Sequence, residues 1–73
     1  MPTQTEWEAK AANLLKAELK RKGVTYAQLV EKLAGIGISE KEANVANKLS
    51  RGKFTAAFLL QCLNAIGTDA LHL

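Results

Sequence analysis

The chain has 73 residues, of which 48% are hydrophobic and 23% charged, with a net charge of +3. That is the composition of one small globular domain and not of a disordered segment. A single cysteine and a single histidine exclude an internal disulfide and a closed zinc site, so the fold must rest on helix packing or gain stability from self-association.

The predicted elements begin at Thr5-Glu6-Trp7-Glu8, a capping box in which a hydroxyl and a carboxylate satisfy each other's backbone N–H groups. It opens a helix over 6–22 with Trp7, Ala11, Leu14, Leu15 and Leu19 as its apolar positions. Leu15 and Leu19 are expected in the core. Trp7 with Ala11 and Leu14 is either core or an exposed strip used in dimerisation. The helix ends in Lys20-Arg21-Lys22 and Gly23, cations that suit the negative end of the helix dipole.

Thr25-Tyr26-Ala27-Gln28 is a second capping box and predicts a helix over 26–34, with Tyr26, Leu29, Val30 and Leu33 inward. Val24 is placed to staple against Leu29. The link Gly35-Ile36-Gly37-Ile38 is more apolar than a plain loop, so both isoleucines are expected to plug the core while the glycines permit the turn. Ser39-Glu40-Lys41-Glu42 fits the capping box again and predicts a third helix over 40–51, with Ala43, Val45, Ala46 and Leu49 inward and Gly52 as its stop.

Thr55 caps a fourth helix over 56–66, whose apolar positions are Leu59, Leu60, Cys62, Leu63 and Ile66, with Phe54 placed to staple against Leu59. Gly67 follows it. Residues 68–73 form a short fifth helix or a tail. No segment alternates with the two-residue period of a half-buried strand. The fold class is therefore all-α, a single domain of four or five helices spanning 1–73.

The chemistry-bearing residues concentrate on the third helix. Asn44, Asn47, Lys48 and Arg51 are spaced i, i+3, i+4, i+7 and share the face opposite Val45, Ala46 and Leu49; Lys53 follows at the exit. Two mid-helix asparagines cost about 1 kcal/mol relative to alanine. Asparagine can pair with adenine through N6 and N7, and Lys or Arg with guanine or phosphate, so the stripe has the composition of a groove reader. The competing reading is a plain solvated helix face.

Enzymatic chemistry is not expected. The acids form no dyad, the glycines are dispersed helix ends and not a phosphate loop, Cys62 lies on an apolar face as a buried inert thiol, and His72 is a tail residue without a partner. No catalytic residue, metal ligand or cofactor is assigned. No apolar run approaches the roughly 20 residues of a membrane span, and MPTQTEWEAK lacks the apolar core of a signal peptide, so a cytoplasmic location is expected.

The order of parts resembles the helix-turn-helix domain of the Cro/repressor (Xre) type, from about Leu14 to Gly67. The matching pieces are Lys20-Arg21-Lys22-Gly23, Thr25, Leu29-Val30, Leu49-Ser50-Arg51-Gly52 and Ala65-Ile66-Gly67. The chain also looks like a small bacterial family catalogued only as a domain of unknown function, recognisable around Asn47-Lys48-Leu49-Ser50-Arg51-Gly52-Lys53-Phe54. The Xre resemblance implies a lambda-repressor-like fold and a small bacterial transcriptional regulator that binds double-stranded DNA and commonly dimerises.

On that resemblance the binding residues are Asn44, Asn47, Lys48, Arg51 and Lys53, with backbone anchoring from Tyr26, Gln28, Lys20, Arg21 and Lys22. The alternative function is a protein-interaction adaptor on the same fold with little DNA affinity. Tyr26 stands where the family usually has Gln, and Leu49 where it usually has Trp. The stretch Ser39 to Glu42 is about three residues longer than the pattern and places Glu40 and Glu42 at the tip of the third helix. Carboxylates there would be repelled by phosphates.

Overall fold

In a computed structural model describing residues 5–71, four helices follow one another: α1 (Glu6–Lys22), α2 (Tyr26–Gly35), α3 (Glu42–Arg51) and α4 (Ala56–Ala65). No strand occurs among the described residues. Helix α1 packs on α3, and α2 packs on both α3 and α4. The Cα radius of gyration is 11.7 Å, close to the roughly 11 Å expected of a packed chain of this length. None of the helices is long and apolar enough to cross a membrane.

The caps form where the local patterns place them. The Thr5 hydroxyl accepts from the Glu8 N–H at 3.1 Å, while the Glu8 carboxylate accepts from the Thr5 N–H at 2.7 Å. Thr25 and Gln28 repeat the exchange at 3.1 and 2.9 Å, and the Thr55 hydroxyl accepts from the Phe58 N–H at 3.0 Å. At the end of α1, Gly23 adopts φ 68°, and the Val24 N–H reaches back to the Leu19 carbonyl at 2.9 Å. A residue with a Cβ would be strained there.

Six side chains are fully enclosed: Leu15, Leu29, Leu33, Val45, Leu49 and Cys62. Leu19, Phe58, Leu63 and Ile66 complete the same cluster, against which Val24, Tyr26, Val30, Ile38, Phe54 and Leu59 are packed. Phe54 also meets Phe58, with ring centroids 5.6 Å apart.

The structure corrects several expectations. Helix α3 starts at Glu42 and not at residue 40; its N-cap is Lys41, and no side chain caps it, so the Ser39–Glu42 capping box does not form. Helix α2 runs through Gly35, and the left-handed turn is taken by Gly37 at φ 84°, where the Ile38 N–H bonds the Leu33 carbonyl at 2.9 Å. That bond draws Ile38 onto the core and leaves Ile36 42% exposed, so one isoleucine plugs the core and the other does not. Ala43 is exposed, and so is Leu60 at 65%. Ala12 and Phe58, absent from the expected core, are buried. Trp7 is 78% exposed, which settles it as a surface residue.

Helix α4 closes at Ala65, and residues 68–71 are not helical. Thr68 is instead buried, its hydroxyl donating to the Glu18 carboxylate at 3.1 Å. His72 lies outside the described residues.

Candidate nucleic-acid interface

Helix α3 turns Val45 and Leu49 fully inward, and this fixes which side chains face out. Asn44, Asn47 and Arg51 are exposed on the outer side. Asn47 and Arg51, one turn apart, have no side-chain hydrogen bond or ion pair among the described residues.

Lys48 is placed differently, although its spacing puts it in the same stripe. Its ammonium donates to the Glu40 carboxylate at 2.8 Å and sits 4.4 Å from the centroid of the Phe58 ring. The Glu40 side chain is only 12% exposed. The pair is a half-buried tie between the loop before α3, the helix itself and α4. The Lys48 ammonium, with the Asn44 amide and the Lys41 N–H, holds the Glu40 carboxyl below its ordinary range.

Glu40 therefore does not project from the tip of α3; it folds back and neutralises Lys48. Glu42 alone remains as an exposed acid in the first turn. Sequence spacing gave no sign of this pairing, because Glu40 lies outside the helix and reaches Lys48 only through the bend of the loop.

This tie has a pH signature. A carboxyl whose pKa is lowered on folding stabilises above its unfolded value, and that stability is lost as pH falls through the folded value. Glu40→Gln should lower the melting temperature at pH 7 and flatten its decline below about pH 4.5, the ordinary carboxylate value. Melting curves across that range read it directly. A Glu40→Gln profile parallel to that of the parent protein would mean that the pair contributes nothing.

The remaining candidates divide in the same way. Arg21 is bound to Glu18 through two hydrogen bonds of 2.7 and 3.2 Å, and that guanidinium is the main reason the Glu18 carboxyl is held low. The Lys22 ammonium donates to the Gly67 carbonyl at 3.2 Å and clasps the end of α4. Gln28 is engaged in its capping box, and Lys53 stands 3.9 Å from Glu8. Lys20 is exposed and unpaired among the described residues.

Lys20 and Tyr26 come together in a shallow groove where α1 ends and α2 begins, lined also by Lys16, Leu19, Val24 and Thr25. Lys16 is not among the residues the sequence pattern singles out; it lies one turn before Lys20, outside the Lys20–Lys22 cluster. Two ammonium groups beside the start of α2, where the helix dipole is positive, suit an anion.

Cys62 is fully buried, and burial pushes its thiol up to about 11. Burial thus disfavours the thiolate, the form in which a cysteine reacts.

The family described as Domain of unknown function (DUF6471) matches residues 7–71, nearly the whole length. No curated protein and no solved structure gives a significant match.

Proposed function

We propose that this chain, which belongs to the DUF6471 family, is a DNA-binding module of the helix-turn-helix type, lambda-repressor-like in fold and serving as a small bacterial transcriptional regulator. The observation that carries the reading is the outer face of α3. Asn47 and Arg51 stand there exposed, adjacent and without a partner among the described residues, while the fold consumes Lys48. A pair of helices α2 and α3 packed on each other agrees with the motif.

On this reading Asn47 and Arg51 face base edges beside Asn44, whose amide is shared with Glu40, and Lys53 meets the backbone. Lys16, Lys20 and Tyr26 anchor phosphate beside the start of α2. Arg21, Lys22, Gln28 and Lys48 serve the fold first. The withdrawal of Glu40 onto Lys48 removes one of the two acids that would repel DNA at the tip of α3 and leaves Glu42 exposed there.

A protein-interaction adaptor on the same fold is the second reading, and the exposure of Trp7 and Leu60 favours it. Titration of duplex DNA at two salt concentrations separates the two. Each phosphate contacted should cost about 0.9 log unit in affinity per log unit of salt. The absence of binding at low salt would sink the DNA reading and leave the adaptor.

A further inference from the structure

We propose that the outward face of α1 pairs antiparallel with the same face of a second copy of this chain. Trp7, Leu14 and Arg21 are seven residues apart, two helical turns each, and so lie in one row along α1. The row faces away from Ala12, Leu15 and Leu19, which α1 turns to the core. Trp7 is 78% exposed, and a shallow apolar groove runs beside the row along Glu6, Ala9, Lys10, Asn13, Leu14 and Ala17.

Charge selects the occupant. The first turn of α1 carries Glu6 and Glu8, and the last turn carries Lys20, Arg21 and Lys22. A helix with the reverse pattern is needed to cover it, and the same helix turned end for end has that pattern. Parallel pairing would set acid on acid and base on base. In the antiparallel pair the helix dipoles also oppose each other.

A two-fold axis at Leu14 sets that side chain against its own copy and brings Trp7 over Arg21 of the second copy, seven residues to either side. Arg21 is already held flat by its two hydrogen bonds to Glu18, so its guanidinium is ordered for stacking on an indole. The acids and bases at the helix ends also suit each helix's own dipole. That does not account for an exposed Trp7 and a half-exposed Leu14 between them.

One pair of helices of this length, about 25 Å each, buries less than the standard interface. The two copies therefore exchange. The pairing does not rest on DNA binding, and its test contains no nucleic acid.

Sedimentation of the full chain from about 10 µM to about 1 mM should show a monomer–dimer equilibrium. Over the same range the emission of Trp7, the single tryptophan, should shift to the blue. Trp7→Ala should raise the dissociation constant about tenfold or more, while Leu60→Glu, on the other exposed leucine, should leave it unchanged. Glu6→Lys and Lys20→Glu should each weaken association, and the double variant should restore it. Circular dichroism confirms that each variant is folded. A monomer at every concentration overturns the proposal, as does a dimer that ignores Trp7→Ala or a double swap without recovery.

Discussion

Replacing Asn47 and Arg51 together with alanine is expected to weaken duplex DNA binding by about 30- to 1,000-fold, the equivalent of roughly 1–2 kcal/mol for each lost contact. The melting temperature should stay within about 5 °C. Both side chains are exposed and make no bond among the described residues, and each such substitution usually moves stability by no more than about 0.5 kcal/mol. Asn47→Ala even gains a few tenths in helix propensity. Lys48→Ala is the informative contrast. It removes the partner of Glu40 and the cation above Phe58, so stability should fall and any loss of binding would be confounded by unfolding. If the double variant binds DNA as the parent does, α3 is not the reading helix. If it unfolds, the outer face was structural after all.

That contrast shows what the sequence could and could not disclose. Thr5, Thr25 and Thr55 were legible as caps because a cap is decided within three residues, and each forms as expected. The inward faces of α2 and α3 were legible because burial follows the 3.6-residue period: Leu29, Leu33, Val45 and Leu49 are all fully enclosed. Ser39-Glu40-Lys41-Glu42 has the same local pattern as the working caps and fails. The chain there is held by Ile38 on the core and by Glu40 on Lys48, so its backbone enters α3 at Lys41 instead of at Ser39.

The candidate site was legible in the same measure. Spacing put Asn44, Asn47, Lys48 and Arg51 on one face, and the exposure of Asn44, Asn47 and Arg51 agrees. Glu18 and Arg21 are three residues apart on one helix, a pair that spacing alone could have shown, whereas the ties of Lys48 to Glu40 and of Lys22 to the Gly67 carbonyl depend on how the chain folds back. Ile36 and Ile38 make the point with hydrophobic residues: two neighbours of equal character part because one backbone bond, to the Leu33 carbonyl, chooses between them.

Leu33→Ala is expected to have the largest effect on stability. Leu33 is fully enclosed on α2, the helix that packs against both α3 and α4. Truncating a buried leucine to alanine costs about 2–5 kcal/mol, the spread depending on how far the cavity collapses. A 73-residue domain holds roughly 4–11 kcal/mol in total, so one side chain removes a large part of the margin. At about 4–8 °C per kcal/mol, the melting temperature should fall by roughly 8–40 °C or the transition should vanish. Urea titration followed by circular dichroism measures it, with Leu60→Ala as the exposed control expected within about 0.5 kcal/mol of the parent. A ten-residue helix such as α2 has no stability of its own in water and survives only by packing. Loosening it therefore frees α3 from one of its two supports. Leu33→Ala should lose DNA binding only in proportion to the unfolded fraction, and low temperature should restore it. Loss of binding in the fully folded variant would place Leu33 in the interface, which its burial forbids.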